Sequence, residues 1–407
     1  MRSFIKRITP EGLKKLYRSL RGRILGAAFG VFGRLPIRPD RVVLENVWGY
    51  GDNPKSIALA LRKQKKKLDI IFIEGGNRHV KAPKGIRLVP AGSLRAVYYL
   101  STARVWVDCN HKPYYVRKRN GQFYMQTWHG SLPLKRIEKD AKGLGAEYLE
   151  EAAFDTGLAD VFLSDSEFCN DVYRHAFGYK GRIAMTGSPR LDTLLKNAKR
   201  TGGVAGTGAS KRRTAILSRL GLGCDKAIAL YAPTFRGGGE DAGPLKAFDA
   251  GETLKALKAR FGKDFELLVK LHPLAVSHGC GAEFLGGEAK DVSSYPNIYE
   301  LLEVTDVLIT DYSNTMFEFS YTGRPCFLFA PDSDRYARER GMYFVYDRLP
   351  FPIARDSTGL AREIKSYDSE RYATLGQAFY RDLGVREDGH ASRRAARIIM
   401  NEINKGL

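Results

Sequence analysis

"VLITDYSNTMFEF", Val307 to Phe319, decides the architecture. Val307 to Thr310 read as a buried strand, and Asp311, Tyr312 and Ser313 as a tight polar turn. From Asn314 onward Met316, Phe317 and Phe319 are available to pack one face of a helix. Strand, loop and helix in that order are the unit of a parallel sheet with helical crossovers. The loop also presents Ser313, Asn314 and Thr315, whose hydroxyls and unpaired backbone N–H groups suit an anion. N-capping of the helix by Ser313 or Asp311 accounts for the same residues.

The unit repeats in both directions. "AIALYAPTFR" (Ala227–Arg236), "FELLVKLHP" (Phe265–Pro273) and "PCFLFAPD" (Pro325–Asp332) each run a buried strand into a polar loop. Pro233 and Pro273 end their strands, because proline cannot donate to the ladder. That places Arg236, Lys270 and His272 at carboxyl ends, where open α/β sheets bind ligands. Arg236 and Lys270 would supply fixed positive charge for phosphates, whereas His272 reads equally as a half-buried histidine bonded to backbone. Upstream, "RVVLENVWGYGDNPKSIALALRKQ" gives strand, loop and a helix with Pro54 in its first turn. "KLDIIFIEGG", "ARVWVDC" and "ADVFLSDS" are further buried strands. "GSPRLD" (Gly187–Asp192) carries Arg190 to the edge of the expected cleft.

A chain of 407 residues exceeds one core, so two α/β domains are expected. "TGGVAGTGASKRR", residues 201–213, is Gly-rich and aperiodic and reads as the linker. The expected division is 1–36, a basic membrane-associating segment; 37–200, an N-terminal Rossmann-like domain; 214–375, a C-terminal one; and 376–407, terminal helices.

The net charge of +21 points to a polyanionic partner or to a merely basic surface. Residues 1–36 hold nine Lys/Arg and one Glu. There Leu13, Leu16, Leu20, Ile24, Ala28 and Val31 recur every three or four positions between Lys14, Lys15, Arg18 and Arg21. Such a basic amphipathic helix lies on an anionic membrane, or packs its apolar face on its own domain. "ILGAAFGVFG" is too short to span a bilayer. Cys109, Cys169, Cys224, Cys280 and Cys326 are scattered without a C-x-x-C pair, which fits a reducing compartment and suggests no zinc site.

"QTWHGSLPLKRIEKD" (Gln126–Asp140) sets His129 between Trp128 and Gly130. A shielded histidine of near-neutral pKa suits general-base chemistry on an alcohol that attacks phosphorus; a structural turn is the plain alternative.

"QTWHG…PLK", "GSPRLD", "YAPTFR", "VKLHP", "TDYSNTMFEF", "DRYARERGMYF" and "DGHASRR" occur in that order. Together they resemble the CDP-glycerol glycerophosphotransferase family of teichoic-acid primases and polymerases, over about residues 41 to 400. The resemblance implies a GT-B architecture: two Rossmann-like α/β domains whose parallel sheets face an interdomain cleft, with a basic amphipathic N-terminal helix. It makes His129 the base toward the acceptor hydroxyl and His272 a second essential histidine near the donor pyrophosphate. Arg236, Lys270, Asp311, Ser313, Asn314 and Thr315 would hold the donor, with Trp128, Gly130, Arg190 and Arg340 also in the cleft. The implied partners are CDP-glycerol or a related CDP-alditol, a lipid-linked acceptor and an anionic membrane on its cytoplasmic face. No cofactor, metal or nucleic acid is called for.

The chain departs from the family form at four places. Ser131 and Leu132 precede Pro133 where WHGTPLK is usual, and "IEKD" stands where a glycine is expected. Ser313-Asn314 replaces a serine pair, and Phe317-Glu318-Phe319 replaces FDF. These changes suggest a divergent branch, building capsule or another surface polymer. Two rivals stand beside this reading. A GT-B glycosyltransferase with a nucleotide sugar shares the architecture, and Asp332-x-Asp334 would be its metal motif, although the pair also reads as structural. A nucleic-acid binder fits the charge but lacks an aromatic stacking platform.

Overall fold

The computed structural model describes residues 11–75, 81–200, 210–236, 242–277 and 287–405. Residues 1–10 of the expected membrane segment, 201–209 of the expected linker, Cys280 and residues 406–407 lie outside them.

Two open sheets carry the fold, and every pairing within them is parallel. The first is built from β1 (Arg38–Asn46), β2 (Asp69–Glu74), β3 (Ile86–Pro90), β4 (Ala103–Asp108), β5 (Phe123–Gln126), β6 (Val161–Ser164) and β7 (Arg182–Met185), in the order β3-β2-β1-β4-β5-β6-β7. The second uses β8 (Ala227–Ala232), β9 (Phe265–Val269), β10 (Ala289–Asp291), β11 (Val307–Thr310), β12 (Cys326–Phe329) and β13 (Ile353–Ala354), ordered β10-β9-β8-β11-β12-β13. β11 and β12 are buried at every position, as helices on both faces require.

Each order reverses once, at β1/β4 and at β8/β11. A crevice opens at such a point because the flanking crossovers leave to opposite sides. The loops at these crevices and their neighbours are those singled out from sequence: Trp128–Gly130 after β5, Pro233–Arg236 after β8, Lys270–His272 after β9, and Asp311–Asn314 after β11. One apolar cluster joins the domains, placing Trp128, Leu132 and Leu134 with Tyr312, Met316 and Phe317.

Two boundaries differ from the sequence reading, and the final helix has a partner that the sequence did not show. Ser210 caps a helix over Lys211–Arg219, its hydroxyl accepting the Arg213 N–H at 3.1 Å, so residues 211–213 are helical rather than linker. The Ser369–Asp382 helix crosses the expected 375/376 boundary. The final helix, Ala391–Lys405, returns to the first sheet, burying Ala395, Ala396, Ile399 and Ile403 beside Val42 and Leu44. Asp192 caps it, accepting the Ala391 and Ser392 N–H groups at 2.8 and 3.0 Å.

The first helix, Glu11–Phe32, docks through Leu25 and Phe29 into a core with Val43, Ile71 and Val97. Arg21 Nη2 donates to Gly92 O at 2.7 Å. Most of the stripe read from sequence faces the other way: Leu16, Leu20, Ile24 and Val31 are all more than half exposed, whereas Ala28 packs against the domain. The helix therefore has two apolar faces, and the domain covers only one. Among the described residues no helix is long and apolar enough to cross a membrane.

Candidate active site

A cleft of about 810 Å³ lies between the domains. Its wall includes Trp128, His129, Gly130, Arg190, Lys270, His272, Ser313, Asn314, Thr315 and Arg340, ten of the twelve residues nominated from sequence. Arg236 and Asp311 sit one layer behind.

The His129 loop is held in an unusual backbone state. Trp128 has φ of 51°, the left-handed region that disfavours a residue with a Cβ. Three hydrogen bonds fix it. Trp128 N donates to Gln126 Oε1 at 2.9 Å, and Trp128 O accepts from Thr127 Oγ1 at 2.9 Å and Asn53 Nδ2 at 3.1 Å. Asn53 also accepts the Arg190 N–H at 3.0 Å. The His129 ring then lies over the Trp128 indole, centroids 4.0 Å apart. Its Nδ1 donates to Cys109 O at 2.8 Å, which leaves Nε2 as the lone-pair nitrogen. The ring opens to the cleft yet is surrounded by protein. That enclosure lowers its pKa, outweighing the Cys109 hydrogen bond and the Asp52 charge, which raise it. Gly130 is needed for contact with the other domain, since a Cβ there would stand 3.2 Å from Asn314 Nδ2.

Behind Trp128 lies a group that sequence reading passed over. His111, its ring centroid 5.3 Å from that of Trp128, is set between Asp155 (Nδ1 to Oδ2, 3.4 Å) and Glu138 (Nε2 to Oε1, 3.3 Å). Burial opposes its protonation, but the two carboxylates prevail and raise its pKa to about 9. Its only sequence signal is its place just after β4, at the sheet's reversal.

Arg190 ties the domains together. Its Nη1 donates to Asp52 Oδ2 at 3.0 Å and to His129 O at 2.7 Å, and its Nη2 meets Glu318 Oε1 in the second domain. Glu318 is 2% exposed. It also accepts from Ser131 Oγ at 3.2 Å and Tyr299 OH at 2.8 Å. Leu134 N donates to Asn314 Oδ1 at 3.0 Å, a second strap across the cleft floor. Asp52, Tyr299 and Glu318 were not nominated from sequence.

The second domain's charges are arranged differently from expectation. Arg236 stacks on Tyr312 (4.8 Å) and pairs with Asp311 (2.6 Å) and Asp332 (3.0 Å). Asp311 is fully buried and accepts the Thr234 and Tyr312 N–H groups at 2.9 and 2.6 Å. A carboxylate cannot grip phosphate, so this pair braces the loops that line the cleft. Asp332 is taken up by Arg236 and Tyr312, whose hydroxyl donates to it at 2.8 Å. Among the described residues no group of three or more His, Cys, Asp or Glu could hold a metal ion. Lys270 lines the cleft, but its ammonium donates to the Ser293 and Tyr295 carbonyls at 2.5 and 2.8 Å. Among the cations that sequence reading left out is Lys135, inside the quoted "PLK". It lines the cleft, its Nζ lies 3.4 Å from Tyr336 OH, and burial lowers its pKa against the pull of Asp311.

At the head of the Thr315–Ser320 helix, Ser313 Oγ accepts the Thr315 N–H at 3.2 Å and donates to Thr315 Oγ1 at 2.8 Å. His272 stacks on Phe235 (5.3 Å), and its Nδ1 accepts the Leu274 N–H at 3.2 Å. The cleft thus offers a shielded imidazole and Lys135 on one wall, and hydroxyls and a second imidazole on the other. That is what an alcohol attacking a phosphoryl centre needs.

The sequence profile of the family described as CDP-glycerol:poly(glycerophosphate) glycerophosphotransferase matches residues 27–401. A teichoic acid poly(glycerol phosphate) polymerase of Bacillus spizizenii is 28% identical over 394 residues, 93% of this chain and 96% of the relative. One of Staphylococcus epidermidis is 30% identical over 383 residues, 91% of this chain but 52% of the relative, so the chain spans about half that protein's length. A solved structure of the wall teichoic acid polymerase TagF superposes with a TM-score of 0.80 at 28% identity, covering 97% of this chain and 99% of that one.

Proposed function

The chain belongs to the CDP-glycerol:poly(glycerophosphate) glycerophosphotransferase family, and from that premise we propose that it transfers an alditol phosphate, such as glycerol phosphate, from a CDP-activated donor to a hydroxyl of a lipid-linked acceptor. The observation that carries this is the state of His129: Nδ1 committed to a carbonyl, pKa lowered, ring on the cleft wall.

His129 Nε2 takes the acceptor's hydroxyl proton as that oxygen attacks the alditol-bearing phosphorus. The bond from that phosphorus to the bridging oxygen breaks, and CMP leaves with the electron pair. A good leaving group asks for little acid assistance, so positioning and charge neutralisation supply most of the remaining acceleration. Lys135, His272 and the Ser313–Thr315 turn hold the donor phosphates, with Arg340 and Lys270 adding positive potential. Arg236 and Asp311 shape that pocket from behind.

The two-faced first helix supports a peripheral seat on an anionic membrane at its cytoplasmic side. Leu16, Tyr17, Leu20, Ile24 and Val31 are exposed among Arg18 and Arg23. The polymer served is teichoic acid or a related surface polymer, capsule included.

The test is CMP release from purified protein given CDP-glycerol, CDP-ribitol or a UDP-sugar with a lipid-linked acceptor. CMP release from a CDP-alditol that is lost in His129→Ala is expected. UDP release from a sugar donor would replace the proposed chemistry with glycosyl transfer.

A further inference from the structure

Among the described residues three non-glycines have left-handed backbone: Asp52 (φ 57°), Trp128 (φ 51°) and Glu138 (φ 48°). All three line the same cleft. Held strain of this kind collects at functional sites. Asp52 anchors Arg190, and Trp128 carries His129. Glu138 does neither.

Its carboxylate is built for a ligand the chain does not supply. Glu138 is 3% exposed. Oε1 accepts from Tyr148 OH at 2.8 Å and faces His111 Nε2 at 3.3 Å. Oε2 is buried and has no hydrogen-bond partner among the described residues. A buried carboxylate oxygen without a donor is costly, and native structures keep few of them. Being an acceptor, it calls for a donor such as a hydroxyl, and its charge excludes a phosphate. It stands on the loop of His129 in the first domain, whereas His272 and the Ser313–Thr315 turn of the proposed donor pocket belong to the second.

We propose that Glu138 is a specificity determinant for the acceptor: its carboxylate receives a hydrogen bond from an acceptor hydroxyl other than the one attacked. The ligand class is a polyol-terminated acceptor. Oε2 is closed over in this structure. Tyr148, 39% exposed and bonded to the same carboxylate, and Lys142 line the cleft beside it, and the acceptor reaches Glu138 by displacing them. The inference rests on the transfer reaction proposed above.

The experiment uses the full chain, CDP-glycerol, and a soluble short-chain alkyl-linked glycerol phosphate as acceptor. Glu138→Gln and Glu138→Gly should each raise the acceptor KM about tenfold or more, the loss expected for a hydrogen bond to a charged group. The donor KM and calorimetric CDP-glycerol binding should stay at wild-type values, which also shows that the variants are folded. An unchanged acceptor KM, or an equal rise for both substrates, overturns the proposal. Should the Gly variant not fold, the near-isosteric Gln variant decides alone. Wild-type protein that turns over no CDP-alditol defeats the proposed reaction instead. Direct titration of the acceptor into wild type and Glu138→Gln then reads the site by itself, with equal affinities counting against it.

Discussion

His129 and His272 face one cleft from opposite domains and carry their protons on opposite nitrogens. His129 Nδ1 donates to a backbone carbonyl, so Nε2 holds the lone pair. His272 Nδ1 accepts a backbone N–H, so the neutral ring carries its proton on Nε2. In the proposed reaction the first takes a proton and the second donates a hydrogen bond to an anion. Their settings differ in the same sense. His129 rides on a strained, buried tryptophan and His272 stacks on Phe235, while both side chains are exposed to the cleft. Backbone partners thus set different tautomers on two identical side chains.

The largest effect expected is on turnover. His129→Ala should lower kcat by about 10²–10⁴, the range for a lost general base, with the donor KM nearly unchanged in steady-state CMP release. A donor KM that rises in step with the loss of kcat would erase the distinction between the histidines.

The clamp that keeps both in one cleft comes next. Arg190→Ala leaves Glu318 buried without its cation, a change of about 3–5 kcal/mol for a broken buried pair. Thermal unfolding should show a marked fall in Tm. A Tm within a degree of wild type would mean that the domains are held by their shared apolar cluster instead.

His272→Ala should weaken CDP-glycerol binding by roughly 10- to 100-fold, the worth of a hydrogen bond to a charged group. Glutamine, which keeps an N–H donor, should restore part of this at position 272 and nothing at position 129. Calorimetry of CDP-glycerol binding decides it at position 272 and CMP release at position 129, and equal rescue at both positions breaks the comparison.

The smallest effect is a displacement in pH. Because burial lowers the His129 pKa, the base stays deprotonated as the pH falls below about 6.5, the ordinary histidine value. The acid limb of kcat/KM should therefore lie below that pH. An acid limb above it would assign the titration to another group.

Much of this was legible in the chain. The reversals at β1/β4 and β8/β11 lie at or beside loops that begin where apolar runs give way to Asp, Pro or Gly. The short strands β3, β5, β7, β10 and β13 escaped notice, being partly exposed or only two to five residues long. Arg236 was placed at the correct strand end but given the wrong neighbours, since Asp332 lies 96 residues away. Glu138 was visible only as a missing glycine, and its left-handed φ explains why glycine would be at ease there.

By itself the sequence determined two parallel α/β domains, the loops that meet ligand, and the histidine between Trp128 and Gly130. Those features follow from local chemistry: the run of buried residues, the proline that ends it, the small residue that lets backbones approach. The tertiary structure alone decided which charges are consumed and which are offered. Arg236 and Lys270 are satisfied from within, Lys135 faces the cleft, and Arg190 bridges 128 residues of sequence to Glu318. A charged side chain takes the partner that burial brings within about 3 Å, and that choice is made by packing between segments far apart in the chain.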